Sequence, residues 1–335
     1  MHCEIYLQTP YSGYVGVRGN VISGVIKYTV EVPIFITGIS ADLEGTGTLK
    51  IEHLQKKDEE GNPEIEIRRE TYLGVNIMNQ CDTTALDPGT YEIPFSVQIP
   101  HDIPPSLNYH KVNGVSENVS CNIVYHVRIV IQTPGIFSSA RAFRKEIRII
   151  AGLVPKLPMT PVIHGGEKKL TQLLSNKKSY VKVKANISNS VLRCGEKIQL
   201  QYEVINDTNI VIKEIKVKLV EVYTFKCAEG TEVVMQEKVP DTDTKTESVE
   251  SGETQEMSVD INIPLDRATL DFANIVSREY FVFIVVKLPM PHRNYELKIP
   301  VQIGHIPDEG VTSVWEIMEE YPLSLQPTTS QSYVG

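Results

Sequence analysis

The sequence predicts an all-β protein made of two tandem antiparallel immunoglobulin-like β-sandwich domains. Apolar and polar residues alternate along many short segments rich in β-branched and aromatic residues, and no long segment keeps the apolar period of a helix. The second half also repeats the landmarks of the first in the same order. The matched residues are Gly19 and Gly195, Pro100 and Pro264, Tyr125 and Tyr280, and Gly152 and Gly304. Landmarks that recur with only the loop lengths changed indicate a duplicated domain.

The predicted strands follow one another in the same order along each repeat. Those of the first repeat lie at 20–32, with a bulge or a break near Gly24, and at 36–51, 91–100, 122–131 and 145–152. Their counterparts lie at 197–207, 211–226, 254–264, 277–286 and 296–304. Gly, Pro and Asn separate these segments, as is typical of an antiparallel sandwich. Five aromatic residues on these strands are predicted to be core residues: Phe95, Tyr125, Tyr280, Phe281 and Phe283.

Polar segments between the strands suggest the domain boundaries. Residues 52–70 and 239–256 are polar insertions at corresponding places, and we expect exposed hairpin loops there. Residues 156–180 are rich in Pro, Gly and Lys, which predicts a basic interdomain linker. The predicted organisation is an N-terminal sandwich at 1–155, the linker at 156–180, a C-terminal sandwich at 181–307 and an acidic C-terminal tail at 308–335.

Composition and motifs argue against several classes of protein. The five cysteines are odd in number and widely spaced, which argues against a disulfide framework or a zinc site, and the net charge of −9 argues against nucleic-acid binding. The N-terminus lacks a secretory signal pattern, so we expect a cytoplasmic location. No nucleophile elbow, phosphate-binding loop or zinc-protease motif occurs. We therefore expect a protein that is not an enzyme and needs no cofactor or metal.

Basic residues are the candidate binding residues. Arg144 and Arg148 share one face of a predicted strand with Glu146, where arginines could bind acidic or phosphorylated tails. Lysines in and after the linker form the densest positive patch, which predicts weak contact with anionic membranes or phosphorylated tails: Lys168, Lys169, Lys177, Lys178, Lys182 and Lys184. The alternatives are a solvated strand face with a cross-strand ion pair and a hydrophilic linker.

The acidic tail contains one apolar feature. Residues 308–335 carry five acidic and no basic side chains, and Trp315 lies among them with Ile317 and Met318. Trp315 is a candidate anchor that would hold the tail against the protein, with the carboxylates near linker or second-domain lysines. The alternative is a frayed tail whose Trp315 only caps the second domain.

Several segments, in the same order along the chain, resemble the arrestin fold and in particular the α-arrestin, or arrestin domain-containing, family. They cover nearly the whole sequence: 11–30 (YSGYVGVRGNVISGVIKYTV), 99–109 (IPHDIPPSLNY), 122–131 (NIVYHVRIVI), 193–207 (RCGEKIQLQYEVIND), 279–289 (EYFVFIVVKLP) and 297–307 (LKIPVQIGHIP). The resemblance implies a non-enzymatic adaptor that binds the cytoplasmic tails of membrane receptors or transporters. It would link this cargo to endocytic or endosomal trafficking or to ubiquitination machinery, at the plasma membrane and endosomes.

The sequence departs from the α-arrestin pattern in one respect. α-Arrestins typically carry Pro-Pro-x-Tyr motifs that bind the WW domains of ubiquitin ligases, and this sequence contains none. Recruitment of a ubiquitin ligase by that route is therefore not expected. Three alternatives stay open: a retromer-type arrestin-fold coat subunit, an extracellular β-sandwich adhesion module, and a binding protein for small ligands.

Overall fold

A computed structural model describes residues 1–8, 15–17, 19–112, 116–134, 140–150, 152, 154–170, 179–227, 230–246 and 248–304. All regular secondary structure in these ranges is β-strand. The chain divides into two compact units, the first mainly Met1–Gly152 and the second mainly Leu153–Lys226 with Gly230–Ile306. The all-β prediction is confirmed.

The first unit contains the strands β1 to β11. Their bounds are β1 His2–Gln8, β2 Val15–Val17, β3 Val21–Val30, β4 Ile34–Ile36, β5 Gly38–Lys57, β6 Pro63–Gln80, β7 Thr84–Leu86, β8 Gly89–Gln98, β9 Leu107–Lys111, β10 Glu117–Gln132 and β11 Ala140–Ile150. One sheet has the order β1-β3-β8, and a larger sheet has the order β2-β11-β10-β5-β6 with β9 also paired to β10. Strands β4 and β7 form a separate pair.

The second unit contains the strands β12 to β21. Their bounds are β12 Val162–Leu170, β13 Ser179–Ile187, β14 Val191–Arg193, β15 Lys197–Asp207, β16 Glu214–Lys226, β17 Glu232–Lys238, β18 Thr244–Lys245, β19 Thr254–Asn262, β20 Val276–Lys287 and β21 Tyr295–Gly304. One sheet has the order β12-β13-β15-β19, and the other has the order β14-β21-β20-β16-β17 with β18 also paired to β16.

The two units repeat the same strand connectivity. In the larger sheet of each, a short strand pairs in parallel with the last long strand, β2 with β11 and β14 with β21, and the other pairs are antiparallel. The matched glycines occupy equivalent turns, with φ of 82° at Gly19 and 84° at Gly195, a conformation that favours glycine. A Cβ at these positions would meet His101 and Leu265, which themselves occupy matched places. The duplication predicted from the sequence is therefore present in the backbone.

Alternation along the strands places apolar side chains between the sheets of each unit. Tyr125 and Tyr280 are 0% and 1% exposed, which confirms them as core residues, and Phe95 is also buried. Phe283, predicted as a core residue, is 3% exposed and belongs to a buried apolar cluster, whereas Phe281, predicted likewise, is only partly buried against it. Because neighbouring residues of a strand point to opposite faces, they lie on the other face of β20 from Tyr280 and join a separate apolar cluster there.

Two segments expected to be irregular form strands instead. Residues Val162–Leu170, expected inside a linker, pair with β13 along their whole length. Gly and Lys in this segment suggested a linker, but lysines are also common on strands at sheet edges. The insertion expected as a loop at 52–70 is mostly the paired ends of β5 and β6, with turn and bend residues only between Lys57 and Pro63. Strand β3 is continuous, without the bulge considered near Gly24.

Candidate functional site

A groove in the first unit lies between one strand of each sheet. It has a volume of about 480 Å³ and is lined by β1 and β11 through Cys3, Glu4, Ile5, Tyr6, Ala142, Phe143, Arg144 and Lys145. Strand β1 is the edge of its sheet. Strand β2 pairs only with the last three residues of β11, so in the described sheet the part of β11 that lines the groove has a neighbouring strand on one side only. Edge strands present backbone donors and acceptors to an added chain.

The groove has a cationic side on β11. Arg144 is exposed and lies directly across from Arg128 on β10. Arg128 is neutralised, because its Nη1 lies 3.0 Å from an oxygen of Glu44, and His126 lies 3.0 Å from the other oxygen of that carboxylate. Arg144 forms no ion pair with any residue that the structure describes. A guanidinium in this position can bind a carboxylate or phosphate through two hydrogen bonds.

The opposite side of the groove, on β1, is polar but chemically unreactive. Tyr6 donates a hydrogen bond to Glu4, and the ammonium of Lys27 lies 5.8 Å from the centre of the Tyr6 ring and 2.7 Å from Glu92. Burial, and secondarily the charge of Glu4, raises the pKa of the Cys3 thiol to about 11. A thiol with this pKa stays protonated at neutral pH and is a poor nucleophile. The groove is therefore suited to binding rather than covalent catalysis.

The predicted face of Arg144, Glu146 and Arg148 is present on β11. All three side chains are exposed, while Ile147 and Ile149 between and after them are buried. Arg148 lies at the point where β2 joins the sheet, and only Arg144 lines the groove. The two arginines therefore share a strand face, as the sequence predicted, but only Arg144 is placed at the groove.

Of the lysines predicted to form one basic patch, Lys169, Lys182 and Lys184 lie on one face of β12 and β13 that also carries acids, whereas Lys168 lies on the opposite face. Lys182 and Lys184 are exposed on β13, as alternation predicted. Lys182 lies 3.9 Å from Glu167, and Lys184 lies across from Glu203 on β15. Lys169 is exposed on β12. The positive charge of this face is thus partly compensated by neighbouring strands.

Lys168 has a specific partner. Its ammonium donates hydrogen bonds to the carbonyls of Arg293 and Asn294, at 2.8 and 3.3 Å, in the turn between β20 and β21. The remaining candidates, Lys177, Lys178 and Trp315, lie outside the described residues. Among the described lysines of the patch, Lys168 is therefore the one whose ammonium has a defined structural role.

A buried ionic cluster in the second unit was missed by the sequence analysis. Glu221 on β16 is 3% exposed, and its carboxylate lies 3.3 Å from Arg267. Arg278 donates to the carbonyl of Ala268 at 2.6 Å and to the hydroxyl of Tyr223 at 3.3 Å. Burial raises the pKa of Glu221 above its usual range, although Arg267 and Arg278 act in the opposite direction. The sequence did contain a sign of this cluster, because Glu221 falls in the alternation of core-facing residues along β16, where a charged side chain needs a buried partner.

Two further observations limit the chemistry. Among the residues that the structure describes, no group of three His, Cys, Asp or Glu side chains could hold a metal ion. In the same ranges, no helix is long and apolar enough to span a bilayer.

Comparison with protein families identifies both units. Residues 3–154 match the family model described as the arrestin (or S-antigen) N-terminal domain, and residues 177–308 match the arrestin (or S-antigen) C-terminal domain. The two models match consecutively and together span well over half of the chain, so the chain belongs to the arrestin family. A search of curated proteins finds no match. Arrestin proteins are generally non-enzymatic adaptors that bind membrane receptors, and the two β-sandwiches described above are the fold of that class.

Proposed function

We propose that the protein is an adaptor of the α-arrestin type that binds extended cytoplasmic segments of receptors or transporters at the groove between β1 and β11. The observation that carries this proposal is the presence of two strand edges facing one groove beside Arg144. A peptide that adds a strand to β1 or β11 gains main-chain hydrogen bonds without needing a deep pocket. Arg144 then selects segments that carry a carboxylate or a phosphate.

The binding mode can be tested with a labelled extended peptide that carries one phosphoserine, measured by fluorescence anisotropy against the whole protein. We expect Arg144→Glu to weaken binding about 10- to 100-fold, because a hydrogen bond to a charged group contributes about 1.5–3 kcal/mol. Arg193→Glu is the matched control, since Arg193 is exposed in the second unit. N-methylation of alternate peptide bonds should also weaken binding. Equal affinity for the wild type and Arg144→Glu would contradict the proposal.

The proposed location is the cytoplasmic side of the plasma membrane and endosomes, where the adaptor would connect cargo to trafficking or ubiquitination machinery. A membrane contact is supported by Met290, which is 94% exposed in the same turn whose carbonyls bind Lys168. An exposed apolar side chain beside cations is suited to the surface of an anionic bilayer. Trp315 is proposed separately as an anchor of the acidic segment.

The membrane contact can be tested by sedimentation with phosphatidylserine vesicles at low salt. Replacement of Lys168, Lys169, Lys177 and Lys178 by Glu should abolish sedimentation, and Met290→Ser should reduce it. Wild-type binding should fade as salt approaches physiological strength, because salt screens exposed charges. Failure of the wild type to sediment at any salt concentration would rule out this membrane contact. It would not affect the proposal that the groove binds a peptide.

A further inference from the structure

The outer face of the larger sheet in the second unit carries an apolar cluster bordered by lysines. Val220, Phe283 and Val285 are 3–4% exposed there, and Val222 and Phe281 are partly buried against them. The face lies opposite the main core, because the alternate residues of β16 and β20 belong to the core cluster. Such a face on a sandwich is ordinarily polar.

Two lysines flank the centre of this face. Lys218 on β16 and Lys298 on β21 lie directly across from Phe283, one on each side. Their ammonium groups lie 5.6 and 4.9 Å from the centre of the Phe283 ring. Neither lysine forms an ion pair with a residue in the described part of the chain. We call this arrangement the Lys218–Phe283–Lys298 row.

Nearby lysines on the same face behave differently. Lys216 and Lys245 approach Glu214 at 3.4 and 3.8 Å, and Lys238 approaches Asp243 at 2.8 Å. Their charge is therefore compensated locally. The row keeps two positive charges over an aromatic ring, whose π face attracts cations without neutralising them.

The first unit provides an internal comparison. Since Tyr125 matches Tyr280, Arg128 stands where the second unit has Phe283, and its neighbours across the strands are Asp42 and Arg144. There the central cation is paired with a carboxylate of Glu44 at 3.0 Å. The same place in the duplicated fold thus holds an ion pair in one unit and, in the other, a phenylalanine between two lysines that form no ion pair in the described part of the chain.

We propose that the Lys218–Phe283–Lys298 row binds the acidic segment 308–320 of the same chain, with Trp315 packed beside Phe281 and Val222. Charge supports this occupant, because the segment carries five carboxylates and no basic residue. The aromatic Trp315 suits the partly exposed apolar side chains, and carboxylates suit the two ammonium groups. The proposal does not depend on peptide binding at the groove of the first unit.

Chain length also supports this occupant. The row lies six residues before the end of β21 at Gly304, or roughly 20 Å along a strand. Trp315 follows Gly304 by eleven residues, and a flexible chain of that length spans roughly 18 Å on average. The segment can therefore return to the row without being fully extended.

The proposal can be tested with the fluorescence of Trp315, the single tryptophan of the chain. Quenching by acrylamide is compared between the full chain and a synthetic peptide 305–325. We expect Trp315 to be shielded several-fold in the full chain and the shielding to decline as salt rises. The double variant Lys218→Glu with Lys298→Glu should lower the ratio of docked to free segment about tenfold, because two exposed ion pairs become repulsive contacts.

The matched control is Lys182→Glu with Lys184→Glu, which changes the same charge on the other sheet of the same unit. This control should leave the quenching of Trp315 within about twofold of the wild type. Quenching in the wild type equal to that of the peptide would overturn the proposal, and so would equal effects of the two double variants. Shielding that survives in the Lys218→Glu and Lys298→Glu variant would place the segment on another surface and would also overturn it.

Discussion

Replacement of Arg278 by Met tests the importance of the buried ionic cluster in the second unit. The variant removes a hydrogen bond of 2.6 Å to the carbonyl of Ala268 and one of 3.3 Å to the hydroxyl of Tyr223. It also removes contacts with the Tyr223 and Tyr280 rings, at 5.8 and 5.9 Å from their centres. Loss of one partner from a buried charged cluster costs about 3–5 kcal/mol. Glu221 would be left with Arg267 as its remaining cation.

The assay is thermal unfolding followed by circular dichroism. A loss of about 3–5 kcal/mol should lower the Tm of the second unit by about 10 °C, given roughly 2–4 °C per kcal/mol for a unit of this size. Arg193→Met is the control, because that side chain is 52% exposed, and it should change stability by less than about 0.5 kcal/mol. Adding Glu221→Gln to Arg278→Met should recover part of the loss. A decrease below about 1 kcal/mol for Arg278→Met would refute the reasoning.

Three further predictions concern single side chains. The raised pKa of Glu221 means that the folded state keeps the proton of this carboxyl group to a higher pH than the unfolded state does. The second unit should therefore lose stability as the pH rises from the ordinary pKa of a glutamate to the raised pKa. Glu221→Gln should remove this loss, which is measured by denaturation at a series of pH values. Asn206→Ala should lower the denaturation midpoint by an amount equivalent to about 3 kcal/mol, because the two amide hydrogens of Asn206 are shared among three carbonyl oxygens at 2.8–3.1 Å and its Oδ1 accepts a hydrogen bond from Thr208 at 2.6 Å; a midpoint shift below a third of that would contradict this account. Gly24→Ala should destabilise the first unit by about 2–3 kcal/mol, because the added Cβ would lie 2.3 Å from the carbonyl oxygen of Tyr6. The control is Gly74→Ala, which should be neutral or slightly stabilising because an added Cβ there would meet open space. Equal effects of the two variants in urea unfolding would show that the close approach at Gly24 does not matter.

Local pattern was enough to predict the strands and their duplication. Side chains alternate across a strand whatever its partner, so the buried positions of β10, β13 and β16 follow from the order of apolar residues alone. The two matched glycines could also be expected at turns, because glycine readily adopts a positive φ, and Gly19 and Gly195 both have one. The exposure of Lys182 and Lys184 was predictable for the same reason.

The pattern of polar and apolar residues was not enough where the structure of a segment depends on the strand that it pairs with. The Val162–Leu170 segment is polar and contains two glycines, and it becomes a strand because β13 offers it an edge with matching register. Phe281 and Phe283 are apolar like their neighbours, and only pairing with β16 and β21 shows that they lie outside the main core. Alternation predicts two faces but does not say which neighbours cover each face.

The candidate sites depend on contacts between residues far apart in the chain. Arg144 could be selected from the sequence as an exposed arginine, but its place beside the β1 edge depends on how the two sheets of the first unit pack. The cluster of Glu221 with Arg267 and Arg278 likewise brings together β16, a loop and β20. The sequence by itself determined the strands, the duplication and the exposed or buried positions on each strand, because these follow from local side-chain alternation. Only the tertiary structure decided which strands and charges face one another, because that depends on sheet pairing and packing over long sequence separations.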